Sequence, residues 1–215
     1  MAPLRELASD FFDAVFGVDS KLLRSVRELA RPGQATVSFM NGKRAPYLSP
    51  LRIYLFTSVS YFVLAQLVGE TDLMFVTSTG ESDLPKVLPR IMFFIVPAAA
   101  AALAMLFRRP PRLYAEHLVA TLHIHAAWYV IFAVSLLVAR VVPPPEALAD
   151  APWWVWPVAT LGIALRLAVP AYTYVALRRV YDRSHLATGL RTVGFFVAYF
   201  VLLGVAVFGW MELIR

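Results

Sequence analysis

The sequence predicts an all-α membrane helix bundle: about five transmembrane helices, with an amphipathic helix ahead of the first. Three observations carry this. Of the 215 residues, 60% are apolar and only 16% are charged, whereas a soluble domain is usually about half apolar and about a quarter charged. The apolar residues gather into five stretches, each long enough for a helix to cross hydrocarbon about 30 Å thick, which takes roughly 20 residues. The stretches are also continuously apolar rather than alternating, which argues against the strands of a barrel.

Residues 5–31 read as helix in two pieces. Phe11, Val15, Val18, Leu22, Val26 and Leu29 recur at steps of three and four and make one apolar stripe. Asp19 and Ser20 are candidate caps for a second piece starting at Lys21, and Arg31-Pro32-Gly33 ends it. The opposite face holds Lys21, Arg24, Arg27 and Glu28. Such a helix either lies among anionic headgroups or packs beneath the bundle, and the pattern fits both. The spans follow at 50–68, 87–107, 114–142, 153–177 and 185–214, dividing the chain into a cytoplasmic arm (1–49) and a transmembrane domain (50–215). A polar loop (69–85), a basic turn (108–112), a proline-rich loop (143–152) and a second basic turn (178–184) connect them.

Lysine and arginine placement sets the orientation. Arg5, Lys21, Arg24, Arg27, Arg31, Lys43, Arg44 and Arg52 precede or open the first span, Arg108, Arg109 and Arg112 fill one turn, and Arg178, Arg179 and Arg183 fill another. The other side has Lys86, Arg90, Arg140 and Arg215, offset by Glu70, Asp72, Glu81, Asp83, Glu146 and Asp150. The expected topology is therefore a cytoplasmic N-terminus and an outer C-terminus. Trp153, Trp154, Trp156 and Trp210 then form an outer interfacial belt. The net charge of +6 would suggest nucleic acid in a soluble protein. Here loops facing an anionic leaflet account for it, so lipid headgroups and not nucleic acid are the expected partners. The first sixteen residues carry acids among their apolar residues, unlike a removable signal peptide. With no cysteine, disulfides and thiolate chemistry are excluded.

The third span carries the ionisable residues Glu116, His117, His123 and His125, and such groups at membrane depth are candidates for function. Glu116 and His123 share a helix face about 10 Å apart, while His123 and His125 point to nearly opposite sides. A haem or metal site at His117, His123, His125 or His185 would need ligands from several spans, so no cofactor is expected. Arg166 is the other costly residue, near the middle of the fourth span. Counted from the cytoplasmic ends, it falls at a depth similar to His123, which suggests one shared polar interior containing Tyr54, Tyr61 or Gln66, with Glu116 nearer the mouth. Lys43, Arg44, Tyr47 and Arg52 form a candidate lipid or anion contact before the first span, where Gly42 permits a tight turn and Pro50 a defined helix entry. Pro97, Pro157 and Pro170 lie in or near spans, and the alanines of 97–105 offer a small-residue face for close packing. Phosphate-cradling loops, nucleophile elbows and zinc-protease helices are absent from the sequence.

Three blocks have a pattern in common with known sequences: RPGQATVSFMNGKRAPYLSPLRIYLF (31–56), YAEHLVATLHIHAAWYV (114–130) and LRRVYDRS (177–184). In this order the sequence resembles a family of bacterial inner-membrane proteins of unknown function. Many relatives begin with a small cysteine-rich zinc ribbon, a module this sequence lacks. The resemblance implies a fold and a location, and no activity.

Three functional readings follow. In the first, a non-enzymatic membrane protein binds or moves a small ligand, ion or lipid through a polar interior. In the second, a structural or regulatory protein contacts lipids or proteins through its basic cytoplasmic face. In the third, Glu116 and the histidines serve an intramembrane enzyme. No acid–base or metal set stands at working spacing, which argues against the third. The chain is short for a transporter and shows no inverted repeat, a shortfall that homo-oligomerisation would compensate.

Overall fold

The computed structural model describes residues 20–43, 45–68, 72–73, 76–77, 84–109, 111–143, 147 and 151–213. These residues form helices α1 (Ser20–Leu29), α2 (Gln34–Met40), α3 (Pro50–Val68), α4 (Leu84–Leu106), α5 (Tyr114–Ala139), α6 (Val155–Tyr181) and α7 (His185–Leu213). A two-residue antiparallel pair, β1 (Asp72–Leu73) with β2 (Val76–Thr77), sits in the loop after α3. The fold is all-helical as predicted, and α3 to α7 supply five helices long and apolar enough to cross a membrane.

The bundle is built around α5. Of its most apolar stretch 61% is buried, against 11% for α6 and 22% for α7, so α5 is the axis and the other two are peripheral. It packs on α3, α4 and α6, while α7 closes against α4 and α6. Ala99, Ala100 and Ala102 of α4 are buried, as a small-residue face for close helix approach would be. Large rings fill the middle: Tyr61 stands 5.5 Å from Tyr129 and 6.1 Å from Phe132, and Trp128 stacks on Phe196 at 5.6 Å.

The basic segment outlasts its predicted end in α6. The helix runs through Arg178 and Arg179 to Tyr181 and stops at Asp182, whose φ of 45° is left-handed. Arginine is a good helix former, and its charge is favourable at a helix C-terminus. Trp153, Trp154 and Trp156 lie exposed at the opposite end of α6.

The arm folds back against the bundle. In α1, Leu22, Ser25 and Leu29 are buried while Arg24 and Arg27 are exposed, and the apolar side meets Ala126 and Ala127 of α5 and Ile53 of α3. Of the two readings for this helix, packing against the bundle is the one observed. The earlier helical piece, Phe11, Val15, Val18 and the cap Asp19 lie outside the described residues.

After Arg31-Pro32-Gly33 the chain forms α2, where no helix was expected. Gly33 turns it at φ +75°, and a Cβ there would stand 2.8 Å from the Ala176 carbonyl oxygen of α6. Tyr172 donates its hydroxyl hydrogen to the Leu29 carbonyl at 2.8 Å, and Arg179 reaches the Pro32 carbonyl at 2.6 Å. At the far end of α2, Gly42 takes φ +79°, its N–H bonds the Phe39 carbonyl, and the Lys43 N–H bonds the Ser38 carbonyl. This is a Schellman cap, and it explains why glycine precedes the lysine. The chain then returns under α1, where the Leu48 N–H donates to Ser25 Oγ at 2.9 Å.

The two glycines differ in a testable way. Gly33→Ala adds a steric clash to the left-handed backbone cost of about 1–2 kcal/mol, whereas Gly42→Ala meets open space. Gly33→Ala should therefore lower the thermal unfolding midpoint of the detergent-solubilised protein clearly more than Gly42→Ala does. Equal shifts would contradict close docking of the arm.

Candidate functional site

The polar residues of α5 are built one helical turn at a time, and each turn has its own partners. At the N-terminus, the Glu116 carboxylate accepts the Leu113 N–H at 2.8 Å and a guanidinium hydrogen of Arg112 at 3.3 Å. Glu116 is thus an N3 residue satisfying a helix-start donor. His117, one residue on, is buried and bonds through Nδ1 to the Tyr181 hydroxyl at 2.7 Å.

His123 is buried against the arm. Its Nδ1 is hydrogen-bonded to Thr36 Oγ1 of α2 at 3.1 Å, and Phe39 meets its ring edge-on at 6.4 Å. Glu116 and His123 do share the face turned to α2, since Phe39 lines a small pocket beside each. His125 points the other way, as its spacing requires. Its Nδ1 bonds the Thr121 carbonyl at 2.9 Å, so that nitrogen carries the hydrogen, and the ring lies 4.6 Å from Trp128 and 5.4 Å from Tyr199. Trp128 donates its indole N–H to Thr173 of α6 at 2.9 Å.

Arg166 is not part of this interior, which corrects the expectation of a site shared with His123. It sits on the exposed side of α6, and its Nε donates to Ser135 Oγ at 3.2 Å. Ser135 lies twelve residues beyond His123 on α5, about 18 Å along the axis at 1.5 Å per residue. The continuation of α6 to Tyr181, four residues past Leu177, accounts for about 6 Å of that separation. Nor do the histidines gather: His185 is exposed and bonds Tyr174 at 2.8 Å. Among the described residues no three His, Asp or Glu side chains stand together as a metal site would need.

Of the group before α3, Lys43 is exposed and Tyr47 lines the pocket beside His123. Arg52 is half-buried in the first turn of α3, and Arg44 lies outside the described residues.

The densest polar cluster joins the α4–α5 and α6–α7 turns, at the end of the bundle where the arm docks. Phe107 and Tyr181 stack at 4.0 Å with 18° between their planes. The Arg112 guanidinium lies over Tyr181 at 5.4 Å and that of Arg191 over Phe107 at 5.1 Å, so each ring of the stacked pair has a cation beside it. Arginines also tie the turns through backbone carbonyls: Arg112 to Val180 at 2.9 Å, Arg178 to Arg183, and Arg183 to Arg109. Three donors remain over. Arg112 Nε, Arg183 Nε and Arg191 Nη1 are buried with no hydrogen-bond partner among the described residues. Sequence reasoning counted Arg112 and Arg183 as topology signal and passed over Arg191. The signal available for Arg191 was an arginine within two turns of the start of an apolar span.

Two outcomes follow from this geometry. Thr36→Val leaves the buried His123 nitrogen unpaired and should cost about 1–3 kcal/mol, read as a lower unfolding midpoint. The loss should shrink when His123→Leu is already present, and additive losses would show that the two are not coupled. Arg166→Leu removes a cation from an exposed helix face where insertion costs about 3 kcal/mol. Yield and unfolding midpoint should hold or rise; a fall would mean that the guanidinium braces the bundle.

Over residues 19–62 the chain matches the profile of a family described as a protein of unknown function, DUF3667. That stretch is α1, α2, the glycine cap and much of α3: the docked arm together with the part of α3 that places Tyr54, Tyr61 and Phe62 in the bundle core. No curated protein and no solved structure matches the chain.

Proposed function

We propose that this protein is a multi-pass protein of the bacterial inner membrane whose arm end faces the cytoplasm and binds the phosphate groups of anionic lipids. It acts as a membrane-embedded binding or scaffold protein rather than as a conduit. The observation that carries the reading is the density of arginine at this end of the bundle, where Arg108, Arg109 and Arg179 are exposed and Arg112, Arg178, Arg183 and Arg191 are half-buried. Arginine suits phosphate, because its planar fork presents paired donors.

Charge supports the same end. Arg108, Arg109, Arg112, Arg178, Arg179, Arg183 and Arg191 gather at these two turns with only Glu116 and Asp182 for balance. Lysine and arginine accumulate on the cytoplasmic side of membrane proteins, where anionic headgroups are attracted to them. Passage of a ligand through the interior finds less support. His117, His123 and Trp128 are engaged with separate partners, and rings of Tyr61, Tyr129 and Phe132 fill the space between.

The test is a thermal melt in nanodiscs of phosphatidylcholine with increasing phosphatidylglycerol. The midpoint should rise with the anionic fraction, and the gain should shrink in high salt as exposed charges are screened. A midpoint indifferent to phosphatidylglycerol would remove the reading.

A further inference from the structure

One cleft at the arm end brings two arginines together with apolar surface. It measures about 500 Å³ and is lined by Tyr174, Val175, Arg178 and Arg179 of α6, by Asp182 after it, and by His185 opening α7. The hydrogen bond from Tyr174 to His185 closes one wall. Arg178 and Arg179 each spend one terminal nitrogen on a backbone carbonyl, Arg183 and Pro32 respectively, and a guanidinium has five N–H donors. Two cations therefore line a cleft with one carboxylate, Asp182.

The depth is that of a headgroup. Arg178 lies 22 residues from Trp156 on the same helix, about 33 Å along the axis. Hydrocarbon is about 30 Å thick and tryptophan favours its edge, so with Trp156 at one interface the cleft falls at the other. Apolar surface leads from the cleft toward the far end of the bundle. Val175 and Leu167 of α6 are exposed, as are Val193 and Val197 of α7; Leu167 lies within about 20° of Tyr174 and Arg178 around α6, while His185, Gly189, Val193 and Val197 follow one another at steps of four along α7. Between His185 and Val193, Gly189 leaves open space where a Cβ would stand.

We infer that this cleft is a specific site for one acidic glycerophospholipid, its phosphodiester held by Arg178 and Arg179 and an acyl chain laid along Val175, Leu167, Gly189, Val193 and Val197. The inference rests on the proposed anionic-lipid function and gives it a location and a stoichiometry of one.

Native mass spectrometry of the full chain from detergent tests it, with phosphatidylglycerol, phosphatidylcholine and inorganic phosphate offered separately. One phosphatidylglycerol should stay bound per chain, at least tenfold more strongly than phosphatidylcholine. Arg178→Gln with Arg179→Gln should abolish that preference, while Arg90→Gln with Arg140→Gln, exposed positions outside the arm end, should keep it. Because Arg179 also holds the arm, Val175→Glu provides a second variant, which sets a carboxylate in the cleft without removing a described hydrogen bond and should weaken binding likewise. Retention of the lipid by both cleft variants would overturn this location while leaving the anionic-lipid function standing. No preference for phosphatidylglycerol in the unaltered chain would overturn both. Saturation by inorganic phosphate that phosphatidylglycerol does not displace would overturn the lipid as occupant.

Discussion

A polar side chain carried into an apolar interior must find its hydrogen-bond partner within the protein, and α5 carries several. His117, Thr121, His123, His125 and Trp128 stand within about three turns of the central helix, and the bundle is arranged around what they need. Thr121 and His125 are served by backbone of their own helix. His117 and Trp128 fix the register of α6, which must bring Tyr181 and Thr173 alongside. His123 fixes the arm, since Thr36 reaches it only when α2 is folded against α5. The docking of the arm and the placement of a whole neighbouring helix thus follow from the same requirement.

That requirement also marks where sequence reasoning reached and where it stopped. The five spans were legible because length and continuous apolarity act residue by residue. The divergence of His123 and His125 was legible because helical geometry alone determines it. Helix α2 was not. Its seven residues have no propensity strong enough to hold a helix that short in isolation, and it exists because Gly33 can press against Ala176 while Thr36 meets His123. Both contacts are tertiary and leave no mark in local pattern. Nor was the cap role of Glu116 legible: a carboxylate three residues into a helix fits a cap or a ligand site alike by sequence, and the Leu113 N–H at 2.8 Å is a detail that only the structure supplies.

The arginines show how one residue type serves two demands. Their number at the arm end is what orientation of a membrane protein calls for, and a topology signal alone would leave the side chains free in water. Several instead cap the ends of helices, since the last carbonyls of a helix lack partners within it. Arg112 on Val180 is such a case, and Arg179 on Pro32 extends the practice to the arm. Lysine would supply the same charge without the geometry, because an ammonium offers no planar fork and no face to lie over a ring. The stack of Arg112, Tyr181, Phe107 and Arg191 uses that face.

A guanidinium that caps one carbonyl still has donors to spare, and this decides where the bundle is unfinished. In the interior His125 Nε2 and the Tyr129 hydroxyl are also buried without a partner among the described residues, single atoms enclosed by packed rings. At the arm end the charge does not balance, because seven arginines stand there beside the two carboxylates of Glu116 and Asp182. Such an excess is tolerable in a protein only where something outside the chain supplies acceptors. At the edge of a bilayer the abundant acceptors are water and phosphate. Of the two, only phosphate also answers the charge, and this directs the functional reading to the arm end rather than to the histidines of α5.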